Sequence, residues 1–222
     1  MALLDIMIDG LNHNLKRRLD VDLYILLVAN LTRIVSYVIR NRVRLNYHWS
    51  ELWRSILSLI RFLASYSGDL ATAPRIQALN DSLVNLIALS LSSGDSFLPG
   101  PADYDDLFYK LVETGAILVK FRDVYGLGNR PDCSIATLIS VSEHYYALIE
   151  ETRQKTGAKH LNPAQVALVI KQGYETLSID AKEGLDSWDR YREADEKTTL
   201  KRISKIVAAD CKVLLGLEEA PI

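Results

Sequence analysis

Apolar residues recur at three- and four-residue steps along almost the whole chain, and that spacing puts each row on one face of a helix. The rows include Leu52, Ile56, Leu59, Ile60 and Leu63; Ile76, Leu79, Leu83, Leu86, Ile87 and Leu91; and Tyr104, Leu107, Phe108, Leu111, Leu118 and Phe121. They continue with Ile135, Leu138, Ile139, Tyr145 and Ile149, then Leu200, Ile203, Val207, Cys211 and Leu214. No alternating, strand-like pattern competes with them. Breakers punctuate the rows. Pro74 stands at a helix start, Gly94 and Gly157 just past helix ends, and Pro99-Gly100-Pro101 before a new helix. Gly126-Leu127-Gly128-Asn129 makes a turn, and Asn162-Pro163 a cap with proline in the first turn. The spacing predicts helices over 2–15, 22–41, 49–66, 74–92, 102–125, 134–156, 163–174 and 179–192, with a ninth over 195–215. Short connections between long helices make sequential neighbours antiparallel.

The fold class that follows is all-α, an irregular armadillo/HEAT-like stack of about eight to nine antiparallel helices. No residue-level repeat is present, and the helix pairs are spaced more widely than the roughly 40 to 47 residues of regular units of that kind. The segment 23–39 is apolar on most sides and is expected to be an inner helix covered by two neighbouring layers. A chain of 222 residues buries a sizeable core, and 1–222 reads as one elongated domain. The net charge of −2 gives no reason to expect nucleic acid, which needs an excess of cations. The N-terminus carries acids where a signal peptide has cations, so secretion is not expected. The longest uncharged run, 82–94, is too short to span a bilayer. Cys133 and Cys211 lie far apart, as reduced cytosolic thiols would.

Motifs that resemble chemical sites stand in the wrong context. Gly94-Asp95-Ser96 has the letters of a hydrolase nucleophile block, yet a helix precedes it and no Asp-x-x-His occurs. Gly126-Leu127-Gly128 begins like a dinucleotide fingerprint, but Pro131 replaces the third glycine. His13, His48, His144 and His160 are too scattered for a zinc site. Asp103, Asp105 and Asp106 fall in an expected first helical turn, where carboxylates meet the helix dipole favourably. Trp49 and Trp53, one turn apart, read as core. Catalytic, cofactor and metal residues are therefore assigned to none.

Between Arg33 and Arg75 seven arginines face only Glu51 and Asp69. Arg33, Arg40 and Arg44 are spaced to share one helix face, and Arg54 and Arg61 lie two turns apart on the next helix. Two readings stand side by side: a solvated outer face with apolar stems laid along it, or a surface for an acidic partner segment or anionic lipid headgroups. Arg33, Arg40, Arg44, Arg54 and Arg61 are the candidate surface.

The segment from Gly94 to Pro101 (Gly-Asp-Ser-Phe-Leu-Pro-Gly-Pro) with Tyr104-Asp105-Asp106-Leu107-Phe108-Tyr109 is too unusual for helix filler. Together with Arg42-Val43-Arg44-Leu45, Tyr47, Trp49, Glu51-Leu52-Trp53, Phe62-Leu63, Tyr174-Glu175-Thr176-Leu177, Gly184-Leu185-Asp186 and Tyr191, it resembles the C-terminal part of the armadillo-like helical domain-containing protein 3 family, from about Val21 to Tyr191. The resemblance implies that 1–222 is a domain excised from the C-terminal end of a longer protein, a non-enzymatic scaffold of the cytoplasm, peripherally associated with Golgi membranes and serving Golgi maintenance and secretion. It also implies partnership with phosphatidylinositol 4-kinase beta and with an Arf-like GTPase or Arf exchange factor, without cofactors. No family motif assigns those contacts to particular residues.

Overall fold

The apolar rows form helices because each buries its stripe against a neighbour, and the chain ends each helix where capping chemistry allows it. The computed structural model describes residues 2–13, 15, 19–130, 133–157, 163–173 and 193–214. Among them are α1 (Ala2–His13), α2 (Val21–Arg40), α3 (Trp49–Ser65), a single turn α4 (Ser67–Leu70), α5 (Ile76–Phe97), α6 (Pro101–Tyr125), α7 (Ile135–Thr156), α8 (Pro163–Gly173) and α9 (Glu193–Leu214). No strand occurs among the described residues. The expected helix over 179–192 lies outside the described residues, as do Pro131 and the family-like positions from 174 to 191. Contacts gather into two units, Met1–Ser187 and Trp188–Ile222; the second contains α9.

Within the first unit the helices make two layers. One holds α1, α3, α6 and α8 side by side, and the other α2, α5 and α7. Neighbours within a layer run parallel. The start of α3 and the third turn of α6 meet where Lys110 Nζ donates to Ser50 Oγ at 2.9 Å, and their ends meet where the Tyr125 hydroxyl donates to the Leu63 carbonyl at 3.0 Å. Sequential helices cross between layers in opposite directions: the Tyr24 hydroxyl of α2 donates to the Leu11 carbonyl at the end of α1, and Phe108 of α6 packs on Tyr145 of α7 with ring centroids 4.9 Å apart. This zigzag is the expected antiparallel stack.

Three expectations need correction. Segment 23–39 is not an inner helix. As α2 it lies at one end of its layer, buries Tyr24, Val28, Leu31 and Val35, and leaves Leu26 63% and Tyr37 58% exposed, because α5 is its one companion in that layer. With mean hydropathy 1.5 over an 18-residue window, α2 is also long and apolar enough to cross a membrane, which a search for uncharged runs overlooks; core helices pass the same test. Gly94 does not close a helix. It sits inside α5, which continues to Phe97. Pro74 precedes α5 by two residues, since Arg75 adopts a left-handed backbone (φ 61°) that sets the helix entry one step later. Gly126 ends α6 at φ 63°, as expected of a left-handed cap.

Candidate partner-binding groove

Helix α6 is surrounded by α3, α5, α7 and α8, so its apolar residues point in several directions and its polar residues gather in the gaps. The gap facing α3 and α8 forms a groove in two parts. One hollow, about 290 Å³, is lined by Arg54, Ser58 and Arg61 of α3 and by Asp106, Tyr109 and Glu113 of α6. The next, about 330 Å³, is lined by Ala102, Asp105, Val166, Ala167 and Ile170, and shares Asp106 and Tyr109 with the first. The two therefore meet at Asp106 and Tyr109.

Hydrogen bonds fix this surface. Lys110, only 14% exposed, holds the Asp106 carboxylate one turn back and bridges to Ser50 of α3. The other carboxylate oxygen of Asp106 is buried with no hydrogen-bond partner. Tyr109, 40% exposed, stands at the junction. A hydrogen bond from its hydroxyl to the Glu113 carboxylate, helped by partial burial, pushes its pKa up, so it remains a neutral donor. The groove thus offers an amphipathic aromatic anchor, an apolar floor on α8 and charges of both signs on its rim. That composition is typical of a protein-binding patch. Among the described residues no group of three or more His, Cys, Asp or Glu is placed to hold a metal ion.

A larger hollow of about 640 Å³, near the C-terminal end of α3, is lined by Asp20, Asp22 and Asp69 among others. Two of these acids already serve the fold: Asp20 accepts from the Leu23 N–H as the cap of α2, and Asp22 pairs with Arg75 at 2.6 Å.

The five candidate arginines do not gather into one patch. Arg33 and Arg40 are exposed on α2 in one layer, Arg54 and Arg61 on α3 in the other. Arg44 does not share the α2 face, because α2 ends at Arg40 and Arg42 turns the chain away with φ 50°. Instead the Arg44 guanidinium donates to the Asp95 carbonyl at 3.0 Å, on the last turn of α5, where a cation meets the negative helix end favourably. Only Arg54 and Arg61 line the groove. Asp106, Tyr109, Lys110 and Glu113 were not singled out as a surface by sequence; Asp106 reads there as a first-turn capping acid, whereas α6 starts at Pro101 and places it one turn later. The available signal was the pair of four-residue spacings, Asp106 to Lys110 and Tyr109 to Glu113, on a helix otherwise rich in apolar residues.

Asp105, Asp106 and Tyr109 of the family-like residues line the groove, and others converge elsewhere. Trp49 is fully buried, stacks on Trp53 at 5.7 Å, meets the edge of Phe97 at 5.0 Å, and donates from Nε1 to the Leu45 carbonyl at 2.9 Å. Tyr104 lies across Gly94 and donates its hydroxyl to the Leu91 carbonyl. A Cβ at position 94 would come within 2.5 Å of the Tyr104 ring, so this crossing requires glycine. The Ser96 hydroxyl donates to the Ser93 carbonyl at 2.6 Å, within its own helix.

A family model described as "Armadillo-like helical domain-containing protein 3, C-terminal" matches residues 1–213, a longer span than the family-like blocks alone mark out. Proteins named "Armadillo-like helical domain-containing protein 3" are similar to the chain: that of Xenopus laevis is 26% identical over 95% of it, and that of Homo sapiens 27% identical over 86%. A Schizosaccharomyces pombe protein named "UPF0588 membrane protein" is 24% identical over 93% of the chain. The chain spans about a third of the length of these relatives, from 30% to 33%. No solved structure matches.

Proposed function

The chain belongs to the armadillo-like helical domain-containing protein 3 family as its C-terminal region, and from that premise we propose that it is a non-catalytic helical scaffold of Golgi membrane trafficking. Its task is to hold partners: phosphatidylinositol 4-kinase beta, and an Arf-like GTPase or Arf exchange factor, engaged by the groove between α3, α6 and α8. The observation that carries this reading is the groove itself, in which Tyr109 stands half exposed between the apolar residues of α8 and the arginines of α3. A stiff stack presents such a surface without reorganising, which lowers the ordering cost of association. Holding a lipid kinase near its substrate membrane raises its local concentration there. The relative with "membrane protein" in its name supports a place at a membrane.

Arg54 and Arg61 are the arginines retained in this reading, as rim contacts for acidic residues of the partner. The test is capture of purified kinase, and separately of GTP-loaded Arf-like GTPase, by the chain and by its Tyr109→Ala and Arg54→Glu/Arg61→Glu variants. We expect Tyr109→Ala to weaken capture about tenfold or more, as loss of a central aromatic anchor does, with folding stability changed by no more than about 0.5 kcal/mol. Undiminished capture by both variants would remove the groove from the account.

A further inference from the structure

Helix α9 has a two-sided composition that the groove does not use. Leu200, Ile203, Val207 and Cys211 recur at three- and four-residue steps, with Ile206 beside them, and Leu200, Ile203, Ile206 and Val207 are each between 50% and 57% exposed. On the opposite side Lys197, Lys201 and Lys205 recur at four-residue steps, with Arg202 and Lys212 on the same half of the helix. From 197 to 212 these five cations face one acid, Asp210, which lies within the apolar half; the acids Glu193, Asp195 and Glu196 stand in the first turn of the helix. Every residue of α9 whose side chain is described is exposed.

We propose that α9 is an interfacial helix that binds an anionic bilayer surface, laying Leu200, Ile203 and Val207 among the acyl chains and its lysines among the headgroups. An acidic protein groove would match the cations as well, but the exposure of every described residue of the apolar stripe beside a polar face that is cationic from 197 to 212 is the pattern of helices that lie in a membrane interface. Lys and Arg stems reach from the apolar boundary to the headgroups, so the cations need not sit directly beside the stripe. This site differs from the exposed arginines of α2, where Leu26 and Tyr37 share one face with Arg33 and Arg40, so that apolar and cationic residues are not divided between two halves as they are on α9. It also stands independently of the groove: vesicle binding and kinase capture are separate readouts, and either survives loss of the other.

The experiment is flotation of the full 222-residue chain with phosphatidylcholine vesicles, with and without phosphatidylserine. We expect flotation on the phosphatidylserine vesicles only, weakening as salt is raised. Each cation near such a surface is worth about fivefold in affinity, so Lys201→Gln with Lys205→Gln is expected to weaken binding about thirtyfold. Val207→Asp is expected to abolish it. Circular dichroism checks that each variant keeps its helices; if Val207→Asp unfolds, the lysine pair decides. Absence of flotation by the folded wild type overturns the proposal. So does flotation indifferent to the lysine pair and to salt, or self-association through α9 in place of vesicle binding.

Discussion

Helix α6 shows two neighbouring regions of opposite kind. At its start Tyr104 lies over Gly94, next to a junction where Trp49, Trp53 and Phe97 are all buried and the rings meet at 5 to 6 Å. Along its other flank, from Asp105 to Glu113, the same helix is half open and lined with both charge signs. The aromatic junction holds three helices in register and offers a partner nothing. The groove contributes little to the core and presents an aromatic, two arginines and an apolar floor. Of the residues that make the chain recognisable, Trp49, Trp53, Gly94, Phe97 and Tyr104 build the scaffold, while Asp105, Asp106 and Tyr109 line the proposed binding surface beside residues of α3 and α8. Recognising the family locates the first region and the α6 side of the second, and leaves the flanking residues of α3 and α8 to be found from geometry.

The sharpest break in this comparison is Trp49→Ala. Removing a fully buried indole leaves a cavity that the surrounding helices cannot close, and we expect a loss of about 4 kcal/mol in urea denaturation. A change below 1 kcal/mol would mean that the junction is looser than described. Gly94→Ala comes next, at about 2 kcal/mol, because the new methyl meets the Tyr104 ring. The double variant with Tyr104→Ala sharpens the point. If steric conflict is the cause, the Gly94→Ala penalty nearly disappears in the Tyr104→Ala background; a penalty that persists would assign it to something other than the crossing.

The smallest effect separates arginines that sequence groups together. Arg44→Ala is expected to cost about 0.5 to 1 kcal/mol through loss of the bond to the α5 carboxyl end, and Arg33→Ala, exposed on α2, to cost less than about 0.5 kcal/mol. Thermal denaturation of both variants under one buffer condition makes the comparison. Equal losses would return Arg44 to the role of a surface cation.

Most of the helical layout was legible in sequence because the apolar rows report burial directly, and burial is what forms these helices. The boundaries that were misread share one cause. Gly94 carries the composition of a stop signal, yet the helix runs through it because its missing side chain lets Tyr104 approach, a requirement set by a residue ten positions away. Arg75 likewise enters α5 in a left-handed conformation that no local preference announces. The grouping of Arg33, Arg40 and Arg44 on one helix face failed for a related reason. Spacing along a helix predicts a shared face, but not that α2 and α3 belong to different layers or that Arg44 lies beyond the helix end. The groove was invisible because it depends on α3 and α8 flanking α6, a long-range arrangement. Asp106 and Tyr109 fall inside the family-like block 104–109, but nothing along the chain marks them, or Glu113, as a surface.

The account turns on the groove and not the junction being the working surface. Hydrogen–deuterium exchange of the chain with and without phosphatidylinositol 4-kinase beta tests it most directly. Protection by the kinase is expected in peptides covering 54–61, 105–114 and 166–170, with those covering 94–101 unchanged. Protection confined to other segments, or a kinase that leaves the exchange of the whole chain unaltered, would contradict it.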